Sequence, residues 1–195
     1  MKSTRPNFPS SSRPAFILAG CVLLISGCAS LGGMSCAQFE QASQEADYAT
    51  RYRLLEPETK TVTRHLPPLP RGATAVVHVY EMRVDPYTTK SCNHLRLHKE
   101  IHLQRRAGGR WQLEETREFY TISGTLIATR TESIGRQLQR SGFYAGSALL
   151  PIPEKAPPGR YRVVSKLVLK SGSKSRARVL AKTSASFQVI ARNKE

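Results

Sequence analysis

The fold is decided near the C-terminus, by RYRVVSKLVLK at residues 160–170 and RARVLAKTSASFQVI at residues 176–190. In both segments apolar side chains occupy odd-numbered positions. These are Tyr161, Val163, Leu167 and Leu169 in the first segment, and Val179, Ala181, Phe187 and Val189 in the second. Alternation with period two is typical of half-buried strands, and the Ser- and Gly-containing stretch between them favours a turn. The sequence therefore predicts an antiparallel hairpin that buries its odd positions.

The residues that open and close this hairpin resemble a known domain type. The opening Pro157-Pro158-Gly159-Arg160-Tyr161 and the closing Phe187-Gln188-Val189 resemble the last hairpin of immunoglobulin-like domains in many bacterial envelope proteins. The resemblance covers only this end of the chain. It implies a fold and no particular activity.

The chain upstream also has the pattern of short strands. Strand-like runs over residues 74–84, 95–104, 111–122 and 126–134 are separated by breaks rich in Gly, Pro or Ser, with no strong long helix. This arrangement indicates an all-β, immunoglobulin-like antiparallel β-sandwich. We place it at residues 59–192, after a tether at residues 28–58 with a short amphipathic helix over residues 36–50.

The N-terminal segment has the pattern of an export signal. Lys2, Arg5 and Arg13 precede an apolar run at residues 15–27, which is too short for the ~20 residues of a membrane-spanning helix. The following Ile25-Ser26-Gly27-Cys28 resembles the lipobox of bacterial lipoproteins. That resemblance implies a signal peptide at residues 1–27, lipidation of Cys28, palmitate included, and attachment to the membrane by this anchor. Ala29, in place of Asp, implies the periplasmic face of the outer membrane.

Two alternatives to a lipidated Cys28 stay open. Leu18-Ala19-Gly20-Cys21 also fits the lipobox, although it leaves only three apolar residues ahead of it. An ordinary cleaved signal would instead leave Cys28 as a free thiol.

The two remaining cysteines, Cys36 and Cys92, form a candidate pair. In an oxidising periplasm two thiols usually become a disulfide, and this one would fasten the N-terminal segment to the domain. Free buried thiols or metal ligation are the alternatives. No Cys-x-x-Cys motif suggests a redox role.

The charge balance of the 195-residue chain favours anionic partners. Thirty Lys and Arg oppose fourteen Asp and Glu, giving +16, and residues 1–27 remove only three of the bases. If Leu167 lies opposite Val179 in the hairpin, the even positions place six cations on one sheet face. We predict that these six form an anion-binding face: Arg162, Lys166, Lys170, Arg176, Arg178 and Lys182.

Such a face has two interpretations. It could bind an anionic envelope ligand such as lipopolysaccharide or peptidoglycan, or an acidic envelope protein. Alternatively, the cations could keep an exposed sheet soluble and prevent edge pairing. Nucleic acid is disfavoured as a partner by the compartment and by the lack of stacking aromatics.

No other pattern indicates chemistry, so we predict no catalytic residues, no enzyme activity, no metal and no cofactor. His94, His98 and His102 recur every four residues on a strand-like pattern, where such spacing is too wide for one ion, so we expect them to face solvent. Glu114, Glu115 and Glu118, interleaved with Arg117, are interpreted as a solvated face.

The leading functional hypothesis is a lipid-anchored binding or assembly module that docks an anionic envelope ligand or a partner protein through its basic sheet face. The alternative is a structural lipoprotein subunit of a cell-envelope complex of the secretion type. Val76-Val77-His78-Val79-Tyr80 loosely resembles the first core strand of the sandwich lipoprotein of type VI secretion systems.

Overall fold

The computed structural model describes residues 34–106, 108, 112–170 and 177–192. The predicted signal peptide and Cys28 lie outside these residues. The chain from Met34 onward forms one compact unit. Within the described residues, no helix has the length and hydropathy needed to cross a bilayer.

The described residues of this unit form nine strands and two helices. The first sheet has the order β1-β7-β4-β2, and the second has the order β3-β9-β8-β5-β6. All strand pairs are antiparallel except β3 with β9. In chain order the elements are α1 (Cys36–Glu45), β1 (Arg51–Leu54), α2 (Glu56–Thr63), β2 (Ala75–Asp85), β3 (Thr88–Lys90), β4 (Asn93–Arg105), β5 (Gln112–Thr121), β6 (Leu126–Ser133), β7 (Gly142–Ile152), β8 (Gly159–Lys170) and β9 (Arg178–Ile190).

The core lies between the two sheets, and the predicted all-β sandwich is confirmed. Ile101 and Tyr144 from the first sheet pack in one cluster with Leu113 and Leu167 from the second. These side chains meet because alternate residues of each strand point to the same face, so each sheet presents one largely apolar surface to the other.

The N-terminal part differs from the prediction. The helix α1 begins with a capping box between Ser35 and Gln38 but ends at Glu45, five residues earlier than expected. The chain then becomes extended and enters β1, which pairs with β7. The sandwich therefore includes Arg51–Leu54, ahead of its predicted start at residue 59.

A disulfide joins Cys36 and Cys92, as predicted, with a Cα–Cα distance of 5.3 Å. It connects the first residue of α1 to the turn before β4. Phe39 of the same helix is buried, with its ring centroid 4.7 Å from that of His94. The helix is thus fastened to the outer side of the first sheet.

The closing hairpin forms with most of its odd positions inward, but its register is not the predicted one, and Val179, which was predicted to be buried, is 54% exposed. Leu167 lies opposite Ala181, not Val179, and an irregularity follows between Leu167 and Val168. As a result Lys166 lies directly opposite Lys182. The extra residue is accommodated because Leu180 and Ala181 both pack against the core cluster.

Candidate functional site

The outer surface of the second sheet carries the cations that the sequence singled out. Arg162, Lys166 and Lys170 occupy even positions of β8, whose odd positions are buried, and Lys182 faces Lys166 from β9. We call these four residues the basic face. Like charges in directly opposed positions destabilise a sheet unless an anion lies nearby.

Part of that anionic charge comes from the neighbouring strand β5. The Lys166 Nζ lies 2.5 Å from Glu118 Oε1, and the Lys170 Nζ lies 2.6 Å from Glu114 Oε2. The hydrogen bond from Lys166, together with one from Tyr120, lowers the pKa of Glu118. These two carboxylates were predicted to be a solvated face, and the structure shows that they neutralise two of the four cations.

The other two cations of the basic face lack such partners. The Arg162 guanidinium lies 5.5 Å from the centroid of the Tyr120 ring, which is a cation–π distance. Among the described residues, neither Arg162 nor Lys182 has a carboxylate within ion-pair distance. The four cations of the basic face and the two carboxylates Glu114 and Glu118 together sum to a net charge of +2.

The structure does not bring all six predicted cations together. Arg178 is paired with the buried Leu169, because the irregularity in the hairpin reverses the facing of the residues beyond it. Opposed residues share a face, so Arg178 and Arg162 lie on opposite faces of the sheet. The prediction for Arg178 is therefore wrong, and Arg176 lies outside the described residues.

A buried ionic cluster between the sheets is the feature that sequence reasoning missed. The Lys99 Nζ from β4 lies 2.5 Å from Glu115 Oε1 on β5, and neither side chain has any exposed surface. Four hydroxyl groups also lie within 3.2 Å of the Glu115 carboxylate. They belong to Thr50, Tyr52, Tyr80 and Ser165.

A second ion pair extends this cluster toward the N-terminal segment. Arg117 Nη2 lies 2.9 Å from Glu132 Oε1 and donates a hydrogen bond to the backbone oxygen of Tyr48. The Thr50 backbone N–H donates to Glu132 as well. The cluster therefore joins the chain before β1 to strands β5 and β6.

The interpretation of Glu115 and Arg117 as solvated residues is wrong. Both lie on the inward face of β5 with Leu113 and Phe119, whereas Glu114 and Glu118 lie on the outward face. The sequence of β4 contains a pattern that could have indicated the buried ion pair. Lys99 is the one charged residue at an odd position between Leu95 and Leu103, so it interrupts an otherwise apolar face.

The electrostatics of the cluster favour an ion pair between Lys99 and Glu115. Burial alone would raise the pKa of Glu115, but the Lys99 ammonium and the hydrogen bonds from Lys99, Ser165 and Tyr80 bring it below its usual value. Burial lowers the pKa of Lys99 to about 8, with Glu115 opposing the shift. Because both side chains are fully buried, a ligand has no access to this pair, and its role is structural.

The histidines do not all face solvent as predicted. His102 is 7% exposed, with its ring centroid 4.9 Å from that of His78. Burial, and to a lesser extent the neighbouring His78, lower the pKa of His102. The His94 Nε2 lies 2.9 Å from the Tyr48 hydroxyl oxygen. Among the described residues, no group of three or more potential metal ligands comes together.

One end of the sandwich contains an apolar cleft of about 430 Å³. Its walls come from both sheets, with Phe119 and Ile127 on one side and Leu150 and Ile152 on the other. The connection from β7 to β8 contributes Lys155, the one charged residue among the described residues that line the cleft. The size and the apolar lining are those of a small-molecule site.

Comparisons with known proteins provide a fold-level context. No family model matches the chain, and no curated protein matches it. Among solved structures, the C-terminal domain of Wzt has 10% sequence identity and a TM-score of 0.41, with 60% of this chain and 74% of that domain covered. The CARDB domain of the PF1109 protein from Pyrococcus furiosus has 12% identity and a TM-score of 0.35, with 60% and 94% covered.

A larger protein is similar over only part of its length. A family 123 glycoside hydrolase from Clostridium perfringens has 9% identity and a TM-score of 0.39, and the match covers 74% of this chain but 27% of the hydrolase. At this level of similarity, none of these proteins indicates what this chain does.

Proposed function

We propose that this chain is a non-enzymatic, lipid-anchored binding module on the periplasmic face of the outer membrane, and that its basic face binds a phosphate-bearing envelope ligand. The observation that carries the proposal is the excess of cations on the basic face after its internal ion pairs are counted. Lys166 and Lys182 lie side by side, and Glu118 neutralises only one of them. An external anion would relieve the remaining repulsion.

The surrounding chain supports an anionic ligand. From Lys155 to Lys194 there are eleven Lys and Arg and no Asp or Glu, so carboxylates that oppose these cations come from other parts of the chain, such as β5, or from outside the molecule. Phosphate groups of lipopolysaccharide accept hydrogen bonds from Lys and Arg and carry the required charge. The lipid anchor implied by Cys28 would hold the domain at the surface of a membrane that contains phosphate-bearing lipids.

Reversing the two unpaired cations tests this function. We expect Arg162→Glu combined with Lys182→Glu to weaken binding to immobilised lipopolysaccharide about 30-fold or more, since each base near an anionic lipid surface contributes about 1 kcal/mol. The full-length protein is used in non-ionic detergent, and binding is measured from 50 mM to 300 mM salt, a range chosen to vary charge screening. Wild-type binding should fall steeply as salt rises.

A matched control carries the same charge change on the other sheet. Arg53→Glu with Arg96→Glu alters two exposed arginines on the outer face of the first sheet and should change binding little. Equal losses from the two double variants would contradict a specific role for the basic face. Salt-insensitive co-purification with a defined secretion complex would instead support the structural-subunit alternative.

A further inference from the structure

The apolar cleft opens to solvent at a part of the sandwich that no further strand covers. β1 pairs with only Tyr144–Ser147 of β7, so it does not cover the end of β7 that lines the cleft. On the opposite side, β6 is the last strand of its sheet, and Leu126 and Ile127 are 52% and 53% exposed. Exposed apolar surface beside a cleft is typical of a binding site.

The cleft lies at the end of the sandwich to which the N-terminal segment is fastened. The Cys92 backbone N–H donates to the carbonyl of Ile152, which lines the cleft, and Cys92 is bonded to Cys36. In addition, the Glu154 backbone N–H donates to the side chain of Glu40 in α1. The start of α1 is therefore connected directly to the cleft wall.

This connection limits the distance between the predicted anchor at Cys28 and the end of the domain that contains the cleft. Cys28 precedes Cys36 by eight residues, and eight residues span at most about 29 Å when fully extended. A lipid on Cys28 would keep this end of the domain close to the bilayer surface. This step rests on the proposed function.

The lining of the cleft matches an acyl chain better than a peptide. A peptide brings backbone N–H and C=O groups that need partners when buried, whereas an acyl chain has none. Among the described residues that line the cleft, the side chains are apolar except for Thr121, Lys155 and the hydroxyl group of Tyr161, which donates to the Pro157 carbonyl. Lys155 is exposed, so it provides a positive charge where an anionic headgroup would emerge.

We propose that the cleft binds one acyl chain of an anionic membrane phospholipid, with the phosphate of the headgroup beside Lys155. The domain would then contact the membrane at two points, through its own anchor and through a lipid drawn partly from the bilayer. The basic face is a separate surface, built on β8 and β9.

Photocrosslinking tests this proposal. The full-length mature protein is reconstituted into nanodiscs that contain phosphatidylglycerol with a diazirine near the end of one acyl chain. After irradiation, adducts are located by mass spectrometry of peptides. We expect adducts to concentrate on residues 150–157 and on Ile127.

Two neighbouring residues provide a variant and its control. Ile127→Glu puts a charge into the cleft and should lower the adduct yield about tenfold or more, because burying an unpaired carboxylate is costly. Leu126→Glu changes a residue of equal exposure that does not line the cleft, and should leave the yield unchanged. Lys155→Glu should reduce the yield from phosphatidylglycerol more than from photoreactive phosphatidylcholine.

Several results would overturn the proposal. Adducts spread evenly over the surface, equal losses from Ile127→Glu and Leu126→Glu, or protein–protein crosslinks through β6 would each contradict it, and the last would indicate a second copy as the occupant. Failure to co-elute with nanodiscs contradicts the anchor alone. In that case the same adduct map is made with photoreactive palmitate in solution, and an unlabelled cleft there contradicts the proposal.

Discussion

Replacing Lys99 with methionine is expected to lower the free energy of unfolding by about 3–5 kcal/mol, because it leaves Glu115 buried without its counter-charge. The hydroxyl groups of Thr50, Tyr52, Tyr80 and Ser165 do not replace a positive charge. Equilibrium urea unfolding of the mature chain, followed by tryptophan fluorescence and circular dichroism, measures the loss.

Two comparisons separate the buried charge from the lost side chain. Adding Glu115→Gln to Lys99→Met removes the uncompensated carboxylate and should recover a substantial part of the stability. The exposed pair Arg83–Glu100, whose side chains are 76% and 37% exposed, is the control, and Arg83→Met should cost less than about 1 kcal/mol. If Lys99→Met lowers the free energy of unfolding no more than Arg83→Met does, the buried pair Lys99–Glu115 does not have the structural role assigned to it.

Replacing Cys36 and Cys92 with serine is expected to cost about 4 kcal/mol, the loop-entropy value for a bridge across 56 residues. The loss should be accompanied by release of α1, since that bond joins the first residue of the helix to the sheet. The change in unfolding free energy and the protection of α1 amides from hydrogen exchange measure the two effects.

Reduction of the wild-type protein provides the matched control. Dithiothreitol should bring the wild-type unfolding midpoint to that of the serine double variant and should leave the variant unchanged. The thiols of the wild-type protein are counted in denaturant, with and without reductant. If neither this count nor the stability changes on reduction, the bond does not form.

The sandwich and the disulfide could be predicted from the sequence. The strand pattern is local in the chain, and only a few cysteines are available to pair. The odd-position alternation of β8, and of β9 from Ala181 onward, predicts which apolar side chains face the core. The two cysteines leave one simple pairing once Cys28 is assigned to the lipobox. The exact register of β9 against β8 could not be predicted from the sequence. Val179, Leu180 and Ala181 are consecutive apolar residues, so the sequence pattern fits more than one alignment with β8.

Strand β7 was missed because it lacks the usual strand composition. Its segment GFYAGSALLPI contains glycines and alanines in place of β-branched residues. The reason for one glycine is close packing, since a Cβ at Gly146 would come within 2.4 Å of the Tyr52 ring. That contact depends on the pairing of β1 with β7, which no local pattern reveals.

The distribution of charge on the second sheet was predicted only in part. The hairpin pattern placed Lys166 and Lys182 on one face, but it contained no information on which strand would lie beside β8. The pairing of β5 with β8 brings Glu114 and Glu118 to Lys170 and Lys166. Long-range strand order therefore decides how much positive charge remains available to a ligand.

The intact mass of the protein, extracted from the membranes of the cells that make it, shows whether Cys28 carries a lipid anchor. We expect a chain that begins at Cys28 and carries a diacylglycerol on the sulfur, with its acyl chains released as fatty acids on hydrolysis. A mature chain that begins at any other residue, or a Cys28 without lipid, would contradict the anchored module.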